Sequence, residues 1–552
     1  MASVSSPVSS WFEWHKDTLP SSMQPTTWVE FGKGAESLQP ENSDGQRPKE
    51  FGVLHLEMGE VPITRTPLAL VFNIDKSSSM NEECENDGQT KLQHMQHIMK
   101  SICHLLAKYV SENPELSIQV CFMLFSHNVQ HLFEYPLVKH SFASENSAFS
   151  DKPTTPFVEI NLGNLQMILD ALDKITCEGL TNMEKSLKSA YKIMSEYHAS
   201  HPTHRIIHIQ LTDGEPTAGK KHPVALEEFV DVRFKNIFVG VGDDHDGVLL
   251  HHLADLAPYG EYRFIDQMSK SPWVCGEIVQ NLLYSYDDAP SEFGESYLHL
   301  SMGPGVSIYD WRSNTWKKEL DIPMLQAHSQ KQYHVALDAS ASAVDAVAHL
   351  EKRDGGNSTL VDTVTSLPGL IDIETNQDVM PDLTVFVLRQ LTQECLFMVR
   401  EFAMKSGTTP EGTRELFRWV DAEEANDMDA RIRASTRCEQ TEADIRTRLR
   451  DVQKLLYIGL GTVLETSDES MIHMLLDDLA VALHTLGTRN GYMYTTARQV
   501  SQGNQYMYSP STMRSGAADT PATVNYDDGV FLKKLQSPYM NDSVFSISTQ
   551  LF

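Results

Sequence analysis

The apolar run Leu68-Ala69-Leu70-Val71-Phe72-Asn73-Ile74 leads straight into Asp75-Lys76-Ser77-Ser78-Ser79. A near-continuous apolar segment of this length reads as a strand covered on both faces, the mark of a parallel sheet held between helix layers. Open sheets of that kind bind ligands at the carboxyl ends of their strands. At that point the chain presents one carboxylate and a cluster of hydroxyls. Such oxygen donors suit a hard divalent cation, Mg2+ or Mn2+, which takes octahedral oxygen ligation. Taken alone, D-x-S-x-S also describes a solvated turn, so its meaning depends on what ends the later strands.

The run Arg205-Ile206-Ile207-His208-Ile209-Gln210-Leu211-Thr212 reads as a second buried strand and ends in Asp213-Gly214-Glu215-Pro216. A carboxylate again stands at a strand end, inside a Gly/Pro turn. Between the two, Gly179-Leu180-Thr181-Asn182 precedes a helical stripe of Met183, Leu187, Ala190 and Met194. Thr181 is therefore a hydroxyl at a helix entrance, where an ordinary N-cap would also explain it. The three segments, in this order, argue together for one metal site.

The stretch from about Leu68 to Tyr284 resembles a von Willebrand factor A domain with a metal-ion-dependent adhesion site. That family's pattern is D-x-S-x-S, then a threonine, then an aspartate in a T-D-G turn. The resemblance implies that Ser77, Ser79 and Thr181 reach the metal and that Asp75 and Asp213 bond to it directly or through water. It also implies a protein partner whose Asp or Glu completes the Mg2+ (or Mn2+) octahedron. The family's usual glycine is Ser78 in this chain, a replacement that spares every ligand and stiffens the loop.

The surrounding pattern agrees with a doubly wound α/β sheet. Lys91 to Tyr109 carries Met95, Ile98, Ile102, Leu105 and Tyr109 on one helical stripe. Ser117–Ser126 and Asn236–Gly242 read as strands, Leu165–Ile175, Leu249–Leu256 and Val274–Tyr284 as helices, and Tyr262–Ile265 as a last short strand. Such alternation implies right-handed crossovers. The expected organisation is a flexible tail at 1–50, a strand at 51–66 joining a later β unit, and the A domain at 67–287. A small antiparallel β-sandwich follows at 290–378, a helical region at 380–498 and a disordered tail at 499–552.

A net charge of −30, from 45 basic and 75 acidic residues, argues against nucleic acid or an anionic membrane as a direct partner. Cys84, Cys103, Cys121, Cys177, Cys275, Cys395 and Cys438 are odd in number and widely spread, with no C-x-x-C pair. Buried free thiols are expected, not a zinc ribbon or a disulfide framework. With no signal-peptide pattern and no run approaching a membrane span, the expectation is a cytoplasmic protein without a transmembrane segment.

Other constellations carry less. His198, His201 and His204 form H-x-x-H-x-x-H, but Pro202 breaks any helix that would align them. Gly240-Val241-Gly242-Asp243 lacks the third glycine of a dinucleotide grip, and no G-x-S-x-G, P-loop or H-E-x-x-H occurs. The reading is a metal-dependent protein-binding module or scaffold, not an enzyme. Two alternatives stay open. One is a component of a ubiquitin- or ATPase-linked assembly. The other is a Mg2+-dependent enzyme using Lys76, Lys220 or Lys221.

Overall fold

The computed structural model describes residues 8–15, 50–59, 66–84, 88–133, 156–242, 244–257, 260–284, 297–322, 325–326, 328–338, 341, 345–354, 357–365, 383–406, 440–461, 466–486, 489–506, 546–547 and 550–551. The chain divides into two compact units, one centred on residues 63–275 and one formed mainly by residues 1–62 and 296–548. Its first strands, β1 (Val8–His15) and β2 (Glu50–Met58), belong to the second of these.

The 63–275 unit contains β3 (Leu68–Asp75), α1 (Lys91–Glu112), β4 (Ile118–Phe125), β5 (Val129–His131), β6 (Val158–Glu159), α2 (Leu165–Leu172) and α3 (Met183–Ser200). Next come β7 (Arg205–Thr212), a single turn α4 (Pro223–Leu226), β8 (Lys235–Val241), α5 (Gly247–Ala254), β9 (Glu261–Ile265) and the start of α6 (Ser271–Leu283), whose residues from Gly276 onward group with the other unit. The sheet order is β5-β4-β3-β7-β8-β9, with β6 paired to β4. Strands β4, β3, β7, β8 and β9 run parallel, while β5 and β6 add to β4 antiparallel. The chain winds outward from β3 to β4, then crosses to β7 on the other side. The carboxyl ends of β3 and β7 therefore meet at the switch point where doubly wound sheets hold ligands. All eight residues of β3 are buried, which is why its apolar run barely alternates.

The other unit adds β10 (Tyr297–Met302), β11 (Val306–Asp310), β12 (Thr315–Lys317), β13 (Glu319–Ile322), β14 (Gln330–Leu337), β15 (Val347–Asp354) and β16 (Asn357–Thr365). They form a five-stranded sheet, β1-β2-β14-β11-β12, and a four-stranded sheet, β13-β10-β15-β16. Leu54, Leu56, Leu298, Leu300, Ile308, Val335 and Leu350 share one core. Strand β2 is central in its sheet, paired antiparallel to β14 on one side and to β1 on the other. Residues 8–15 are thus a strand where a flexible tail was expected. Alternate residues of β1 can face the core, and Phe12 packs against it.

Among the described residues four longer helices complete this unit: α7 (Thr384–Ser406), α8 (Glu442–Leu460), α9 (Thr466–Thr485) and α10 (Arg489–Asn504). Leu388, Val399, Leu449, Leu456, Leu475 and Leu479 form their shared core. Helix α10 carries ordered structure past residue 499, where a disordered tail was expected, and Ser501 and Gln502 on it are buried. Its burial is largely polar. The Arg498 guanidinium meets Asp478 at 2.5 Å and Asp477 at 2.7 Å, and Gln502 donates to Asp478 at 2.6 Å. Residues 16–49 and 507–545, and Cys438, lie outside the described residues; the other six cysteines are free. Among the described residues no helix is long and apolar enough to cross a membrane.

Candidate metal centre

Asp75 closes β3 and is fully buried. One carboxylate oxygen, Oδ1, accepts the backbone N–H of Ser77 at 2.8 Å, a local turn bond typical of aspartate. The other, Oδ2, accepts from Thr212 Oγ at 2.6 Å, tying the end of β3 to the end of β7. The chain then tightens into a 3-10 turn, Ser78–Asn81. The Oγ atoms of Ser77 and Ser79 lie 3.0 Å apart, and Ser79 Oγ donates to Asp213 Oδ1 at 2.9 Å. Ser78 has no positive φ, so the site does not need glycine there. Its N–H and its hydroxyl both donate to the carbonyl of Gly179, each at 3.1 Å.

That bond brings in the third segment. Gly179 has φ +76°, and a Cβ there would lie 2.2 Å from His127 Nδ1, so the bend requires glycine. The backbone of Thr181 is fixed by Thr217, whose Oγ accepts its N–H at 2.8 Å and whose N–H donates to its carbonyl at 2.9 Å. The N-cap of α3 is Asn182, not Thr181: Asn182 Oδ1 accepts the N–H of Lys185 at 3.0 Å. The capping explanation for Thr181 is thereby removed. A Cβ built on Gly214 would sit 3.6 Å from both Ser79 Oγ and Thr181 Oγ1, so these hydroxyls border the same point beside Asp213.

The electrostatics of this cluster call for positive charge. Burial, reinforced by the charge of Asp213, pushes the Asp75 carboxyl up to about 7. Burial also raises the Asp213 carboxyl, against the opposing pull of Lys91 and Ser79. The Lys91 ammonium lies 3.0 Å from Asp213 Oδ2 and 2.7 Å from Glu82 Oε2. Its own burial disfavours its charge, but these two carboxylates outweigh that and its pKa rises. Two buried carboxylates and three neutral hydroxyls, all oxygen donors, fit a hard divalent cation. Among the described residues no group of three or more His, Cys, Asp or Glu is placed to hold a metal.

Asp75, Ser77, Ser79 and Asp213 therefore lie in one connected cluster, with Thr181 at its border. Sequence reasoning missed Thr212, Lys91 and Glu82, whose contacts span 137 residues for Thr212–Asp75 and 122 for Lys91–Asp213. The lysines singled out instead point elsewhere: Lys76 to Gln130 and Glu178, Lys220 to Glu228. The three histidines of H-x-x-H-x-x-H pack among aromatic rings. His201 stacks on Tyr197, His204 bonds the Tyr197 hydroxyl at 2.8 Å, and His198 sits edge-on to Phe234.

The strand order β5-β4-β3-β7-β8-β9 now stands with D-x-S-x-S, threonine and aspartate loops gathered at one sheet edge. This is a doubly wound α/β fold, as the resemblance to a von Willebrand factor A domain implies. Solved structures similar to the chain include a von Willebrand factor type A protein from Catenulispora acidiphila, 14% identical, with 86% of this chain and 91% of that one covered and a TM-score of 0.45. The ArnB paralog VWA2 from Sulfolobus acidocaldarius is 12% identical, covers 91% and 98%, and has a TM-score of 0.38. Proximal thread matrix protein 1 from the mussel byssus, in a form with a zinc-occupied MIDAS motif, is 17% identical over 41% and 48%, with a TM-score of 0.28. At these identities the likenesses add no weight to the chain's own strand order and loops. No protein-family model and no curated protein matches the chain.

Proposed function

We propose that the A domain is a divalent-metal-dependent protein-binding module and that the chain acts as a cytoplasmic adaptor or scaffold, not as an enzyme. The observation that carries this reading is the convergence of Asp75, Ser77, Ser79 and Asp213 through hydrogen bonds, with Thr181 beside them. Mg2+ or Mn2+ held there would supply Lewis acidity toward an outside oxygen donor. The chain's part is to limit its own negative charge. Three of the five donors are neutral hydroxyls, so the site keeps an attraction for an Asp or Glu carboxylate on a partner protein. Four buried carboxylates would quench that attraction.

A Mg2+-dependent enzyme is less well supported, because Lys76 and Lys220 are engaged by other side chains. A place in a ubiquitin- or ATPase-linked assembly is compatible with binding and would leave any catalysis to the partner. The test is capture of binding proteins with the full chain as bait, in Mg2+ and in chelator, beside Asp213→Ala. Proteins retained only by the wild type and only in Mg2+ are expected. Equal capture in chelator would refute the proposal.

A further inference from the structure

Lysine is a poor choice for the first position of a helix, because the amino end already carries partial positive charge. Lys91 nevertheless opens α1, directly after the N-cap Thr90, whose side chain and backbone form a capping box with Gln93. Its backbone is pinned there, with the Lys91 N–H donating to the carbonyl of Glu82 at 3.1 Å. Its stem is covered too, since a Cβ on Gly242 would lie 4.0 Å from Lys91 Cε. The compensation for this position comes from across the fold. The ammonium reaches Asp213, whose side chain is 0% exposed, and Glu82, whose side chain is 60% exposed.

The two partners differ in what they need. Asp213 is shut away from water, so the Lys91 ammonium stands in for solvent beside its carboxylate; Glu82 is open to solvent. We propose that Lys91 is a resident counter-cation of the metal site, which holds Asp213 in place before a divalent cation binds and retires onto Glu82 when one does. This rests on the metal reading above and adds to it a built-in competitor. Binding then exchanges one charge for another at Asp213 without leaving the ammonium stranded, and the affinity for the divalent cation is set below what the oxygen donors alone would give.

The experiment titrates Mg2+ calorimetrically into the wild-type chain, Lys91→Met and Glu82→Gln, and records the melting temperature of each in chelator and in Mg2+. Lys91→Met is expected to bind Mg2+ about tenfold more tightly or better, to melt lower than wild type in chelator, and to gain more from Mg2+ than wild type does. Glu82→Gln, altered at an exposed site, is expected to bind Mg2+ more weakly with its melting in chelator unchanged. Unchanged or weaker Mg2+ binding by Lys91→Met, with wild type binding normally, overturns the inference while sparing the metal site. Tighter binding by Glu82→Gln overturns it as well. Absence of Mg2+ binding by the wild type removes the metal reading and this inference together.

Discussion

Among single residues, Thr212 shows how much the site depends on groups that are not ligands. Its hydroxyl donates one of the hydrogen bonds that hold the buried Asp75 carboxylate. Thr212→Val keeps the shape and deletes that donor, which should cost roughly 1–3 kcal/mol of stability in chelator, as read by urea unfolding. Parallel unfolding of variant and wild type would contradict the role. Asp246 allows a pH test away from the site. As N-cap of α5 it accepts the N–H of Leu249 at 2.9 Å, while its Oδ2 is buried without a partner. Burial outweighs its backbone bonds and pushes its carboxyl up to about 8 from 3.8. Between those values the folded chain holds a proton that the unfolded chain has lost. Stability then falls as pH rises through the window, by up to about 1.4 kcal/mol per pH unit. Asp246→Asn keeps the cap and removes the titration, so its stability relative to wild type should improve steadily from pH 5 to pH 8 in denaturant titrations. A constant difference would show that Asp246 ionises in the fold. Asp75, Ser77, Ser79 and Asp213 of the candidate site were legible because they follow the ends of buried strands. Thr212 and Lys91 were not, because their importance comes from contacts that only the closed sheet creates.

Secondary-structure elements were legible in proportion to how apolar their burial is. Strands β3, β4, β7 and β8 are covered on both faces and appear as apolar runs with few interruptions. Helix α10 could not be read in this way. It buries Arg498, Gln499 and Gln502, which bond to α9 and to the Trp311 carbonyl, together with Thr495 and Thr496, so polar residues occupy its buried faces beside Met493, Ala497 and Val500. Strand β1 was hidden for another reason: its partner β2 begins far along the chain, so no hairpin turn signals the pairing. Gly503 tests the seating of α10. A Cβ there would lie 2.2 Å from two carbons of the buried Trp311 indole. Glycine-to-alanine changes inside a helix usually stabilise by roughly 0.5–1 kcal/mol, but overpacking costs about 1–3 kcal/mol. Gly503→Ala should therefore destabilise, with loss of native Trp fluorescence at lower urea than in wild type. A gain in stability would show that Trp311 moves aside freely.

At the scale of the whole molecule, a doubly wound α/β unit with a candidate metal site shares one chain with a second unit that has, among the described residues, two antiparallel sheets and four helices, and chain order does not follow the division. The second unit takes its strands β1 and β2 from before the doubly wound unit. Removing residues 1–15 should expose the edge of β2, lower the melting temperature and promote association, as seen by light scattering. An unchanged melting temperature with unchanged light scattering would show that β1 contributes little. The central claim is narrower: five oxygen donors from three segments serve one divalent cation. Calorimetric titration of Mg2+ into the full chain, beside Asp75→Ala and Asp213→Ala, tests it most directly. One Mg2+ bound per wild-type chain and none by either variant is the predicted result; three indistinguishable titrations would contradict the account.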